Sequence, residues 1–112
     1  MKLQTLLELM GTRKESFRVE SLRENAATAR IIVDHMNKML ESYRVSCELY
    51  GKEEDRRRYR VVRAMYIDPE RLTVDEIAEI EFVDRATIYR DVDAAADRLA
   101  VLFFGVYGLK FL

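Results

Sequence analysis

Two helix-start signals stand eleven residues apart in the stretch LTVDEIAEIEFVDRATIYRDVDAAADRL, residues 72–99, and they constrain the fold more than any other part of the chain. Thr73 is followed three residues later by Glu76. In such a capping box the threonine hydroxyl accepts from the third backbone N–H, and the glutamate reaches back to the cap. Leu72 before the cap and Ile77 four residues after it are spaced to touch as a hydrophobic staple. The pattern repeats at Asp84, with Val83 before it and Ile88 four residues beyond. Two starts this close leave room only for a short helix, a tight turn and a second helix.

Side-chain sizes agree with that outline. Ala78 stands where the two helices come closest, and Ile77, Val83, Ile88 and Val92 can point into the angle between them. The outline is that of a helix-turn-helix, in which the opening turns of the second helix enter a DNA major groove. Here those turns carry Arg85, Ala86, Thr87, Tyr89 and Arg90. The words EIAE and TIYRD resemble helix-turn-helix regulators, in particular the promoter-reading region 4 of sigma-70 factors. With the upstream helix and the AAADRLAVLFFG continuation, the last half of the chain resembles small phage late-gene activators of the ArpU/RinA kind. That resemblance implies sequence-specific binding of double-stranded DNA in transcription, in a phage or prophage, with Arg85, Ala86, Tyr89 and Arg90 facing bases. Thr87 and members of the set Arg56, Arg57, Arg60, Arg63 and Arg71 would hold the backbone.

Two features depart from the pattern. The turn of such motifs usually carries a leucine and then a glycine or asparagine, because the second residue takes a positive φ. Glu81 and Phe82 occupy those places. An aromatic at positive φ is strained, so the expectation is a turn built differently, or a Phe82 that plugs a neighbouring helix. The second departure is charge. From Thr73 to Leu99 there are three arginines against eight carboxylates. DNA affinity normally rests on Lys and Arg neutralising phosphates. Asp84 and Asp91 are expected close to the reading surface. The front of the chain is richer in cations: residues 1–60 hold thirteen basic and ten acidic residues, and residues 61–112 hold six and ten.

Upstream, no glycine or proline interrupts Ser16 to Tyr50. Val19, Leu22, Ala26, Ala29, Val33, Met36, Leu40, Tyr43, Cys47 and Tyr50 recur at alternating steps of three and four, a heptad seam. A helix of that length would reach about 50 Å, too long for a small domain to cover alone. The expectation is a second chain along it, hence a homo-oligomer, with an intramolecular helical hairpin as the alternative. Ile32 and Met39 widen the stripe toward a bundle. Gly51 suits the end of this helix. A further helix follows, with Glu53, Glu54 and Asp55 in its first turn and an arginine run behind them. Val61, Val62, Met65 and Tyr66 form its apolar face, and Asp68-Pro69 stops it. Its arginines either flank the reading helix or form a solvated face paired to nearby acids. The chain therefore divides into a helical oligomerisation segment, 1–51, and a helix-turn-helix domain, 52–112. The fold class is all-α: a long N-terminal helix followed by a three-helix domain of sigma region 4 type. Met1 to Met10 can form a short helix. The second motif helix is expected to end near Phe104 and cap at Gly105. That leaves an apolar tail, Val106 to Leu112, which packs back on the core or against a partner. Docking of the tail onto RNA polymerase is the sharper alternative, on which the sequence carries no signal.

Chemistry-bearing patterns are sparse. His35 is the only histidine and Cys47 the only cysteine, which excludes a histidine-based metal cluster or triad and an internal disulfide, and fits a reducing cytoplasm. No glycine-rich phosphate loop and no membrane-length apolar run occurs. We expect no catalysis, no cofactor and no metal. The rival to gene regulation is a helical oligomeric interaction protein, an adaptor or small packaging subunit, whose helix-turn-helix docks protein instead of DNA.

Overall fold

The computed structural model describes residues 5, 8, 9 and 26–110, and every described element is helical. We label the elements α1 (Ala26–Tyr50), α2 (Glu53–Val62), α3 (Val74–Glu81) and α4 (Arg85–Lys110). No strand occurs among the described residues. The expected helix over Met1–Met10 and the seam positions Val19 and Leu22 lie outside them, apart from Thr5, Glu8 and Leu9.

Local sequence explains each boundary. After α1, Gly51 is required by space. A Cβ there would stand 2.6 Å from the Cys47 carbonyl oxygen and 2.8 Å from Asp55 Cβ. Asp55 caps α2 by accepting from the Lys52 N–H at 2.9 Å. The α2 helix widens into a π-helical segment, Arg63–Ile67, and ends at Asp68. Asp68 is extended (φ −63°, ψ 145°), as a residue before proline prefers. The first sequence signal forms as read: Glu76 N–H donates to Thr73 Oγ1 at 3.2 Å, and Thr73 N–H donates to Glu76 Oε2 at 3.1 Å. The second forms too, with Thr87 N–H donating to Asp84 Oδ1 at 2.8 Å.

Packing builds two clusters that meet at Val92. In the first, Met36, Leu40, Tyr43 and Cys47 of α1 pack with Tyr59 and Val62 of α2 and with Ala95, Ala96, Leu99, Ala100 and Phe103 of α4. The alanines of α4 let the helix backbones approach, and the Tyr43 and Tyr59 rings meet edge to face at 6.0 Å. In the second, Val61 of α2 joins Ile77 and Ala78 of α3 and Ile88 of α4, with Leu72 and Val83 against them. Both staples are therefore in the core. Leu99, Val61, Val62 and Ile88 are fully buried. Burying a side chain of this kind contributes about 1.5–3 kcal/mol.

Packing and helix length bear on three expectations. Within the heptad seam, Met36, Leu40, Tyr43 and Cys47 are buried by α2 and α4 of the same chain, while Tyr50 at its end is exposed. On α4 the covering side chains are Ala95, Ala96, Leu99, Ala100 and Phe103. That helix does not stop near Phe104 but runs through Gly105 and Gly108 to Lys110. Continuous backbone hydrogen bonding carries the helix across both glycines, each unfavourable by about 1 kcal/mol relative to alanine in a helix interior. Finally, the first cluster draws on residues from both sides of Gly51, so segments 1–51 and 52–112 share one core.

Candidate nucleic-acid interface

The junction of α3 and α4 is made by three residues, Phe82, Val83 and Asp84. Phe82 adopts φ 58°, ψ 41°, the only positive φ outside glycine among the described residues. Val83 N–H bonds the Ala78 carbonyl at 3.1 Å, and Phe82 N–H bonds Glu79 at 3.4 Å. This pair of bonds around one left-handed residue is a Schellman ending. It corrects both expectations for Phe82. The turn has the geometry that glycine usually serves, and the ring plugs nothing, being 94% exposed. Packing of Val83 against Ala78, Ile77 and Ile88 over-determines the turn and holds the strained residue in place.

Asp84 then starts α4 and turns its first residues outward. The Thr87 hydroxyl and N–H hold the Asp84 carboxyl below its ordinary value. Ile88 points into the core while Arg85, Ala86, Tyr89 and Arg90 are exposed and Thr87 is half-buried. The opening turns are thus open to a partner. Arg85 Nε lies 3.2 Å from Asp75 Oδ1, both groups being largely exposed, and its Nη2 reaches the Tyr89 hydroxyl at 3.4 Å. Arg90 Nε donates to the Ala86 carbonyl at 3.3 Å. This geometry gathers two guanidinium groups, a phenol and a methyl on one side of α4. Asp75 and Asp84 stand among them.

The arginines of α2 are placed otherwise than as a phosphate rail. Arg57 grips Asp91 with two bonds, Nε–Oδ2 at 2.7 Å and Nη2–Oδ1 at 3.0 Å. Asp91 is buried, so it does not lie at the reading surface as expected. Its hydrogen bonds to Arg57 raise that guanidinium above its ordinary value. Arg60 grips Glu81 in the same way, at 3.0 and 2.7 Å, and also reaches Glu53 at 3.0 Å. Arg57 and Arg60 therefore clamp α2 to α4 and α3, which answers the open question about the basic run in favour of ion pairing. Arg56 bonds Glu53 and the Gly51 carbonyl, Arg63 lies 3.5 Å from Asp68, and Arg71 bonds Glu8 and Thr5. Arg63 and Arg71 are about half exposed, and their carboxylate partners Asp68 and Glu8 are partly exposed. Such pairs are worth about 0–1 kcal/mol, so exchanging the carboxylate for a phosphate costs little.

Sequence reasoning missed the two clamps. A signal was available: Glu81 and Asp91 interrupt the apolar pattern of α3 and α4, while Arg57 and Arg60 stand three apart on the preceding helix. A carboxylate on an apolar face needs a cation opposite it.

His35 is exposed and its Nε2 lies 3.2 Å from the Phe103 carbonyl oxygen; Cys47 is a buried thiol. Among the described residues no cluster of His, Cys, Asp or Glu is arranged to hold a metal, and no helix is long and apolar enough to cross a membrane. No family model, curated protein or solved structure matches the chain.

Proposed function

We propose that the chain is a non-enzymatic, sequence-specific DNA-binding regulator of transcription, using α3 and α4 as a helix-turn-helix of the sigma region 4 kind, in a phage or prophage setting. The observation that carries this reading is the junction itself. A Schellman-ended α3 leads, through a three-residue turn with a left-handed first residue, into an aspartate-capped helix. The opening turns of that helix face solvent with Arg85, Ala86, Tyr89 and Arg90. In this mode Arg85 or Arg90 grips a guanine edge with two hydrogen bonds, a contact worth about 1–3 kcal/mol of discrimination. Ala86 meets a thymine methyl. Thr87, Arg63 and Arg71 are left for phosphates, because Arg57 and Arg60 are held by buried or nearly buried carboxylates.

A second reading has its own support. Ile80, Phe82 and Tyr89 are large, apolar and exposed near the turn, and Asp75 neutralises Arg85. Such a surface suits a protein partner better than a phosphate backbone. The experiment that separates the readings is selection of duplexes from a random pool by the full chain at low salt. DNA reading predicts an enriched motif spanning one major-groove face. An unenriched pool overturns it and favours docking.

A further inference from the structure

Away from the reading turns, a cavity of about 270 Å³ opens between the end of α1, the start of α2 and the middle of α4. Tyr43, Ser46, Asp55, Arg58, Ala94 and Arg98 are among its walls. Two of these side chains are guanidinium groups, and neither is fully used. Arg58 donates to Asp55 at 3.2 Å and its Nη2 lies 4.0 Å from Glu54, but its buried Nε bonds nothing, the nearest carboxylate being Asp91 at 3.8 Å. Arg98 is exposed and forms no ion pair or hydrogen bond with the other described residues. Asp55 is the one carboxylate on the wall, and it is already shared between Arg58 and the Lys52 N–H. Burial pushes the Tyr43 phenol and the Cys47 thiol above their ordinary values, so both remain neutral at pH 7. The lining thus presents the uncompensated charge of Arg98 and the unbonded Nε of Arg58 together with neutral hydroxyls. Planar guanidinium groups match carboxylate and phosphate oxygens.

We propose that this cavity binds a small oxyanion, a compact molecule carrying a phosphate or carboxylate group, between Arg58 and Arg98, with the Ser46 and Tyr43 hydroxyls completing the contact. Its volume lies below the usual range of about 300–1,000 Å³ for small-molecule sites, which selects a ligand of metabolite size or less. The site is independent of DNA binding, since none of its walls belongs to the opening turns of α4.

The test is titration of the isotopically labelled full chain with sodium phosphate and, in a second arm, sodium succinate, each against sodium chloride at equal ionic strength. The proposal expects saturable amide shifts centred on Ser46, Gly51 and Ala94 with at least one of the two anions, and that anion identifies the ligand's head group. Arg98→Ala, an exposed change, should weaken binding by about tenfold while leaving the remaining amide spectrum in place. Ala94→Leu, which fills the cavity, should abolish the response. Shifts that stay linear with both anions, or saturation unchanged by both variants, overturn the proposal.

Discussion

Phe82 shows how one residue records what the turn demands. A left-handed conformation disfavours a side chain by about 1–2 kcal/mol, and glycine escapes this at some entropic cost. Phe82→Gly should therefore raise stability by about 0.5–1 kcal/mol in urea unfolding, because the ring makes little contact to lose. Phe82→Val should lower it, since β-branching worsens the strain. A phenylalanine at a position that suits glycine, with its ring exposed, is what a contact surface would produce. Asp84 gives a second residue-scale prediction. Its carboxyl is held down by Thr87 in the folded chain, so the folded state takes up the proton less readily than the unfolded one. The contribution of this cap is complete above the unfolded value and is lost as pH falls through the lower folded value. Thermal unfolding of Asp84→Asn should consequently lose part of the acid sensitivity that the parent shows in the carboxylate range.

The helices carry the lesson about what a sequence displays. Capping boxes, staples and the proline stop were legible because each is local chemistry between residues three to five apart. The caps at Thr73 and Asp84 and the end at Asp68 lie where those residues put them. The fate of the seam was not legible. Its periodicity announces a buried stripe on α1 but not whose side chains bury it, and the answer lay far along the chain, in Tyr59 and Val62 of α2 and in Ala95 to Phe103 of α4. The arginine run was ambiguous for a similar reason, since its partners lie 34 and 21 positions away in sequence. A prediction follows. Arg57→Ala strips buried Asp91 of both its hydrogen bonds to that guanidinium, leaving only the looser Arg58 contact at 3.8 Å, and should cost about 3 kcal/mol of stability in denaturant titration. Pairing Arg57→Met with Asp91→Leu should recover most of that loss. A phosphate-contacting Arg57 would instead show normal stability and weaker DNA binding.

At the scale of the whole molecule, one core crosses from the first half of the chain to the second. The α1 helix covers Tyr59, Ala96, Leu99 and Phe103, and Leu9 joins the same cluster. Removing residues 1–51 should therefore unfold the remainder instead of freeing a DNA-binding domain, as loss of cooperative thermal unfolding and of dispersed amide signals. Charge sets the other whole-molecule expectation. With Arg57 and Arg60 turned inward and a net charge of −1, few cations remain for phosphates. The slope of log affinity against log salt should be shallow, about −2 to −3, corresponding to two or three neutralised phosphates. Whether the opening turns of α4 read DNA is decided by affinity for a selected duplex, measured by fluorescence anisotropy for the parent, Arg85→Ala and Asp75→Ala. Arg85→Ala should weaken binding and relax preference at one base pair, while Asp75→Ala, which frees that arginine, should tighten it. Equal affinities for all three proteins would contradict DNA reading by these turns.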